Sequence, residues 1–217
     1  MNETAEKNAG DAASQKNDSL LSVRITAIRY AARDTNIYEL SNVAGTPLPS
    51  YAPGAHIGLH LPNGIVRQYS LLEPEPRPET YMIAVKRDPA SRGGSRCVHE
   101  ELRVGQTLTI STPRNNFPLA ESASDVVLLA GGIGITPIWC MVQRLHKLGH
   151  SWQLHYACRS RSDMAFVERL GEFGSARFHF DDENGGKVLD VAGIVAAAPP
   201  DAHLYCCGPT PMLQAFE

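Results

Sequence analysis

The sequence predicts two domains, an antiparallel β-barrel followed by an α/β domain with a parallel sheet. In the first half, short runs of alternating apolar and polar residues are separated by turn-forming Pro and Gly residues. After Pro118, apolar runs typical of buried strands alternate with helical patterns. We place the barrel at residues 19–119 and the α/β domain at residues 120–217. Residues 1–18 are polar, without an apolar run, and predict a disordered tail.

The barrel is predicted from four segments whose alternation has the period of two that a half-buried strand requires. These segments are residues 21–26, 55–61, 81–85 and 107–110. Pro53-Gly54 and Pro62-Asn63-Gly64 separate them as turns. One helix is expected in this half, over about residues 95–102.

The α/β domain is predicted from four strands with helices between them. The strands are residues 126–130, 152–157, 176–180 and 203–207, and the helices are residues 138–148 and 164–170. Such alternation implies a parallel sheet covered by helices. The sequence stops about two turns into a helix that Pro211 opens. We therefore expect a C-terminally truncated chain whose continuation carries more function.

Composition excludes several classes of function. The 217 residues carry a net charge of −3, which offers no basic field for nucleic acid. No apolar stretch approaches the roughly 20 residues that span a bilayer, so no membrane contact is expected. The five cysteines include no Cys-x-x-Cys pair, which argues against a zinc or iron–sulfur site and fits a cytoplasmic protein. His56 and His60 share a strand face, but we predict no metal site.

Residues 67–71, Arg-Gln-Tyr-Ser-Leu, are typical of a flavin-binding strand. Arg67 and Tyr69 share one face because strand side chains alternate, while Gln68 and Ser70 point the other way. A guanidinium for phosphate, a ring for stacking and a hydroxyl for a ring nitrogen together suit a flavin. The alternative is an ordinary barrel strand with an exposed arginine.

The segment Gly93-Gly94-Ser95 precedes the predicted barrel helix. Free N–H groups and the positive end of a helix dipole favour an anion at such a position, for example a flavin phosphate. The alternative is a simple turn with an N-cap. Only the combination with Arg67 favours the flavin.

A second glycine segment lies between a buried strand and a helix in the α/β domain. Gly131, Gly132 and Gly134 allow close approach of a ligand to the backbone, with Thr136 as the predicted N-cap and Pro137 as the first helical residue. The order differs from Gly-x-Gly-x-x-Gly, and the acidic residue expected about 20 positions later is missing. A Rossmann-type dehydrogenase is therefore disfavoured.

Five motifs occur in the order found in the phthalate dioxygenase reductase and vanillate demethylase reductase group of the ferredoxin reductase superfamily. They are Arg67-x-Tyr69-Ser70-Leu71, residues 84–88 (AVKRD), residues 92–95 (RGGS), residues 131–137 (GGIGITP) and residues 206–209 (CCGP). The chain resembles this group from about Leu20 to Glu217.

The resemblance implies that the flavin is FMN. In similar proteins the arginine and the helix start hold the phosphate, and the Tyr-Ser pair and the Ala-Val-Lys strand line the isoalloxazine. The implied FMN-binding residues are Arg67, Gln68, Tyr69, Ser70, Ala84, Val85, Lys86, Gly93, Gly94, Ser95, Arg96 and Thr136.

The resemblance also implies a pyridine nucleotide, NADH with NADPH left open. Its expected contacts are Gly131, Gly132, Arg159, Ser160, Cys207, Gly208 and Pro209. Arg159 and Ser160 would meet the adenosine end, although simple surface charge is the alternative for this loop. Cys207 would lie near the nicotinamide C4, whereas Cys206 fits a core strand better. Ser70 and Cys207 are the expected catalytic residues.

The implied function is the reductase component of a Rieske-type oxygenase system. Hydride passes from NAD(P)H to FMN, and single electrons then pass to a [2Fe-2S] centre in a missing domain or a separate ferredoxin. The expected partners are that ferredoxin and the oxygenase component, and the chain is expected to be a monomer. Two alternatives remain: a stand-alone flavin reductase, and a non-catalytic flavin- or nucleotide-binding regulatory module.

Overall fold

The computed structural model describes residues 19–217, so the disordered tail predicted for residues 1–18 lies outside the described residues. The first sheet of the described part has seven antiparallel strands. They are β1 (Leu20–Ala32), β2 (Thr35–Asn42), β3 (Ala55–His60), β4 (Val66–Ser70), β5 (Thr80–Lys86), β6 (Thr107–Ser111) and β7 (Arg114–Asn115).

This sheet curls into a barrel. The strand order is β4-β3-β6-β1-β2-β5, with β7 beside β3. An isolated bridge between Leu71 and Ile83 joins the two outer strands β4 and β5 and so closes the sheet. Helix α1 (Gly94–Glu101) covers the barrel, where the Tyr38 hydroxyl donates to Val98 O at 3.2 Å. The apolar side chains of alternate strand residues fill the interior.

The second sheet is parallel, with strand order β10-β9-β8-β11. Its strands are β8 (Asp125–Gly131), β9 (Ser151–Cys158), β10 (Ala176–Phe180) and β11 (His203–Cys207). Its helices are α2 (Ile135–Leu148), α3 (Val167–Gly171), α4 (Val191–Ala196) and α5 (Thr210–Phe216). Within residues 19–217, no helix has the length and apolar character needed to cross a bilayer. The predicted order, an antiparallel barrel and then a parallel α/β domain, is confirmed.

Helix α2 packs the two domains together. Leu72 and Ala84 of the barrel belong to the same apolar core as Ile135 and Trp139 of α2. Gln143 of the same helix donates to Leu72 O at 2.8 Å across the interface. Because this core is continuous, the ends of β8 and β11 are held next to the end of β4.

Two local predictions are wrong. A single 3₁₀ turn, Gly132–Gly134, runs directly into α2, so Gly134 takes the N-cap position and Thr136 lies inside the helix. The Thr136 hydroxyl donates to Ile133 O at 3.1 Å instead of capping. Helix α3 is shorter than predicted because Phe166 has a left-handed backbone with φ of 61°.

Three elements, β2, β7 and α4, were not predicted. The chain leaves the first sheet at Asn115 and enters the second at Asp125. The division at residues 119 and 120 remains a prediction inside this connection.

Candidate functional site

The predicted flavin strand β4 presents different residues on its two faces. In its pairing with β3, Arg67 lies opposite Leu59 and Tyr69 opposite Ile57, two residues whose side chains are buried in the barrel. Gln68 and Ser70 therefore point outward, and they line a cleft between the domains. Tyr69 packs against the barrel core, and burial raises its pKa to about 12. The alternation predicted from the sequence is confirmed.

Arg67 lies across the beginning of α1. A Cβ added at Gly94 would come within 2.8 Å of Arg67 Nε, so only glycine leaves room for the guanidinium there. In the described part of the chain, Arg67 makes a hydrogen bond to Val66 O at 2.9 Å and no ion pair. No described residue accepts a hydrogen bond from the amides of Gly94 or Ser95. We call Arg67, Gly94 and Ser95 the α1 corner.

Other residues near the α1 corner have structural contacts. Gly93 is the N-cap of α1 with φ of 93°, and the Ser95 hydroxyl accepts a hydrogen bond from Asp88 N at 3.1 Å. The Arg96 amide donates to Ser91 Oγ at 3.4 Å, and its side chain is exposed. These contacts order the turn that leads into α1 and leave the first two amides of the helix available.

Three further predicted flavin residues, Ala84, Val85 and Lys86, are on β5. Ala84 is buried against the α/β core and Val85 is buried in the barrel core, so neither has a side chain free for a ligand. Apart from the Leu71–Ile83 bridge, no ladder joins β4 to β5 in the described residues. Beyond that bridge the two strands leave a gap in the hydrogen bonding, and the carbonyl of Val85 is already paired with His99 Nε2 at 2.9 Å.

The cleft between the domains has a volume of about 310 Å³. It is lined by Gly54, His56, Gln68, Ser70, Asn116, Phe117, Pro137, Cys206 and Cys207. Ser70 comes from the end of a barrel strand and Cys207 from the end of a parallel strand, so the two predicted catalytic residues meet at one place. None of these side chains carries a carboxylate or a fixed positive charge.

Both cysteines of the cleft are neutral thiols at pH 7. Burial raises the pKa of Cys207, and burial together with the neighbouring Cys207 thiol, which titrates nearby, raises the pKa of Cys206 to about 11. Cys206, which the sequence assigned to the core, is half-buried and lines the cleft as well as packing under α4 and α5. The thiols can make close apolar contact without charge, but they are not activated nucleophiles.

The predicted glycines have different roles. A Cβ at Gly131 would lie 2.7 Å from Met212 Sδ, and one at Gly134 would lie 2.2 Å from Cys207 O. These glycines, with Gly208 opposite them, let β8 and α2 pack against the turn Gly208-Pro209. Gly132 has φ of 53° and nothing within 4 Å of an added Cβ, so it alone of the set borders open space. Thr136 is buried, and its hydroxyl is already bonded within the turn.

Two other predicted residues belong to a network between the domains. Asp163, which is 8% exposed, accepts hydrogen bonds from Arg33 at 2.6 and 3.1 Å, from Ser160 at 2.8 Å and from Lys86 at 3.4 Å. Burial alone would raise the pKa of Asp163, but the Arg33 and Ser160 hydrogen bonds and the Lys86 charge hold it below its ordinary value. We call these four residues the Asp163 network. Lys86 and Ser160 are thus engaged in joining the domains.

In the loop after β9, Arg161 forms an ion pair with Glu183. Arg161 donates to the Glu183 carboxylate at 2.5 and 2.9 Å and lies over the Phe180 ring at 4.3 Å. Arg159 is exposed, and among the described contacts only its main-chain carbonyl is used, by Asp182 N. Of the two residues predicted for the adenosine end, Arg159 is therefore available and Ser160 is engaged.

Known proteins resemble the chain in both sequence and fold. Residues 128–217 match the oxidoreductase NAD-binding domain family. Tetrachlorobenzoquinone reductase of Sphingobium chlorophenolicum is 52% identical over 204 residues, which cover 92% of this chain and 63% of that protein. Vanillate O-demethylase oxidoreductase of Pseudomonas sp. (strain HR199) is 46% identical over 193 residues, which cover 88% of this chain and 61% of that protein.

The solved structure of phthalate dioxygenase reductase superposes with a TM-score of 0.84 at 36% identity, over 90% of this chain and 62% of that one. Over about nine tenths of its length the chain is similar to members of the phthalate dioxygenase reductase and vanillate O-demethylase reductase group. The resemblance seen in the sequence is confirmed. The chain spans about three fifths of the length of these relatives.

Sequence reasoning missed the roles of three residues. Asp163 lies 130 positions from Arg33, and no local sequence pattern predicts an ion pair between them. Ser91 supports the start of α1 from outside the glycine motif. His56 was considered only as a weak metal ligand, although it lies directly opposite Ser70 on β3. The β3–β4 alternation around the Pro62-Asn63-Gly64 turn was a signal that could have placed His56 beside Ser70.

Proposed function

We propose that this chain binds FMN and NADH and forms the flavin- and nucleotide-binding part of an oxygenase reductase. The observation that carries the proposal is the cleft where Ser70 of the barrel and Cys207 of the α/β domain meet. Hydride transfer requires two flat rings in contact, each held by its own site. A cleft reached by one predicted catalytic residue from each domain meets that requirement.

FMN suits the barrel side of the cleft. The Arg67 guanidinium and the available amides of Gly94 and Ser95 favour a terminal phosphate, and the dipole of α1 adds to the attraction. Tyr69 and the Val85 main chain would border the isoalloxazine along the gap between β4 and β5. When bound, FMN supplies the capacity to accept a hydride and to release its electrons singly. Ser70 would donate its hydroxyl proton in a hydrogen bond at the flavin N5 edge.

The pyridine nucleotide suits the α/β side. The neutral Cys207 thiol permits close contact with the nicotinamide ring, and Gly132 borders open space for the rest of the molecule. Arg159 would meet the adenosine end. NADH fits this loop better than NADPH because Glu183 neutralises Arg161 and Asp182 adds negative charge nearby. A 2′-phosphate would meet these carboxylates.

The electron acceptor is proposed from the relatives. Phthalate dioxygenase reductase is described as modular, passing electrons from pyridine nucleotides to [2Fe-2S]. In residues 19–217 no three His, Cys, Asp or Glu side chains come together as metal ligands. We therefore place the [2Fe-2S] centre in a further domain or a separate ferredoxin, which in turn supplies a Rieske-type oxygenase. The five free cysteines fit the reducing environment of the cytoplasm, where we propose that the chain acts as a monomer.

The test is the chemistry of the purified chain. Acid-released cofactor should be FMN by chromatography, and NADH should bleach it under anaerobic conditions. Electrons should reach ferricyanide directly, and cytochrome c faster when a plant-type ferredoxin is added. FAD in place of FMN, or a flavin that NADH does not reduce, would refute the proposal. Rapid turnover of added free flavin would favour a stand-alone flavin reductase, and binding without reduction would favour a regulatory module.

A further inference from the structure

His56 occupies a position in the cleft that the known motifs do not explain. It lies on β3 directly opposite Ser70 of β4, and on its other side it pairs with Arg114 of β7. Directly paired strand residues share a face, so the imidazole and the Ser70 hydroxyl point to the same side. The opposite wall of the cleft includes Pro137 and Cys207. His56 is therefore a neighbour of both predicted catalytic residues.

One nitrogen of the His56 ring is an unsatisfied buried atom. Nε2 has no hydrogen-bond partner among the described residues. Buried polar atoms nearly always have a partner, so each exception calls for an explanation. Two other ring nitrogens share this condition, on Trp139 and His150, but only His56 lines the cleft. The partner of His56 is therefore expected to be a molecule that enters the cleft.

The chemistry of that molecule follows from the ring and its surroundings. Burial lowers the pKa of His56, so at pH 7 the imidazole is neutral, with one donor and one acceptor nitrogen. No carboxylate or fixed cation lines the cleft, and its volume of about 310 Å³ is at the lower end of the range for ligand pockets. An uncharged flat ring with an amide group fits these conditions, because an amide both donates and accepts.

We propose that His56 is a cofactor-contacting residue whose imidazole hydrogen-bonds the carboxamide of the nicotinamide ring beside Ser70 and Cys207. The inference rests on the proposed function, since it requires that the nucleotide enters this cleft. Nε2 has no exposed surface, so the contact requires the imidazole to turn about its Cβ–Cγ bond or the cleft to widen. Nucleotide binding must then change the surroundings of this ring.

The test combines variants of His56 with dinucleotides that are altered at the carboxamide. Dissociation constants of the FMN-reconstituted chain would be measured by calorimetry for NAD⁺ and two analogues. One is the 3-acetylpyridine analogue, which lacks the amide NH₂, and the other is the thionicotinamide analogue, which has sulfur in place of the carbonyl oxygen. His56→Phe should weaken NAD⁺ binding about three- to tenfold, the size of one hydrogen bond, and should weaken at least one analogue much less. His56→Gln should recover part of the loss.

His60 provides the matched control. His60 lies four residues after His56 on the same outward face of β3 and does not line the cleft. His60→Phe should therefore change none of the three dissociation constants. An equal loss for all three dinucleotides in His56→Phe would overturn the proposal.

A second readout does not depend on the variants folding. In the wild-type chain, NAD⁺ should shift the ¹⁵N signals of the His56 ring and leave those of His60 in place, and unmoved His56 signals would reject the contact. Reduction of FMN by NADH in the wild-type chain distinguishes failure of the proposed function from failure of the His56 contact alone. If NADH does not reduce the flavin, the proposed function and this contact both fail. If it does while the three losses are equal, only the contact fails.

Discussion

The α1 corner and the loop after β9 contain similar residues and differ in their charge balance. Each combines arginine with serine at a turn, and the sequence assigned the first to a flavin phosphate and the second to the adenosine end of the nucleotide. In the α1 corner, Arg67 has no ion pair within the described residues and two helix amides lack acceptors. In the loop, Asp163 and Glu183 hold Ser160 and Arg161.

The difference shows what separates an anion site from a structural contact. A cation can bind a phosphate only if no carboxylate of the protein already holds it, and that depends on residues far away in the chain. Arg67 satisfies this condition. Of the cations around the loop, Arg159 also satisfies it within the described residues, whereas Arg33, Lys86 and Arg161 each have a carboxylate partner. Each of the following predictions alters one side of this contrast.

The largest effect is expected in the α1 corner. Arg67→Ala should weaken FMN binding by about 1.5–3 kcal/mol, roughly ten- to hundredfold, because a charge-assisted contact to the phosphate is lost. Fluorescence titration of the apoprotein with FMN measures the effect. Arg24→Ala on the exposed face of β1 is the matched control and should leave binding unchanged. Comparable affinity of riboflavin and FMN for the wild-type chain would contradict a phosphate contact.

The second effect concerns the Asp163 network. Asp163→Asn should lower Tm by about 2–5 °C, because two cations lose their shared carboxylate at the domain interface. Glu73→Gln removes another ion pair between the domains, with Arg169, which is more exposed, and should change Tm less.

The network also predicts a pH dependence. The pKa of Asp163 is held below its ordinary value, so its stabilisation is present above about pH 4, the pKa in the unfolded chain, and is lost as the pH falls through the folded pKa. The difference in Tm between wild type and Asp163→Asn should therefore shrink in acid. A difference that stays constant from pH 7 to pH 3 would show that the carboxylate charge is not the cause.

How far the sequence could predict these regions depends on the range of the interactions. Alternation and glycine signals are local, and they gave β10 and β11 with their observed bounds and the end of α2 at Gly149. The α1 corner was also predictable, because Arg67 and Gly94 are placed by one hairpin and one turn. The start of α3 was missed because the left-handed Phe166 reflects packing on Trp139, with the rings 5.3 Å apart.

The Asp163 network could not be predicted from patterns. Its members come from the turn between β1 and β2, from the end of β5 and from the loop after β9, and the packing of α2 on the barrel brings these segments together. Lys86 at the end of a strand and Ser160 in a loop have the same local sequence pattern whether they bind a cofactor or a carboxylate. For the same reason the cleft role of Cys206 was missed, since its exposure is decided by the neighbouring domain.

The third prediction concerns Ser70, which faces the cleft with no described hydrogen bond to its hydroxyl. Ser70→Ala should slow anaerobic flavin reduction by NADH about three- to tenfold, the size of one hydrogen bond, and leave FMN bound. Stopped-flow measurement at 450 nm gives the rate. Ser111→Ala is not a suitable control because its hydroxyl accepts from Gly58 N at 2.8 Å inside the sheet. Thr109→Ala, at a half-buried position of β6 away from the cleft, serves instead, and an unchanged rate in Ser70→Ala would reject the assignment.

The smallest effect is expected in the loop after β9, and it completes the contrast with the α1 corner. Glu183→Gln removes the carboxylate that neutralises Arg161 and lies beside the site assigned to the adenosine end. The freed guanidinium then resembles Arg67, a cation without a partner, and can attract a 2′-phosphate. The ratio of kcat/KM for NADPH to that for NADH should rise about two- to fivefold, the size of a partly exposed charge interaction. Glu172→Gln in the exposed turn after α3 is the control and should leave the ratio unchanged. A ratio unaffected by Glu183→Gln, or lowered by it, would show that this loop does not meet the adenosine ribose.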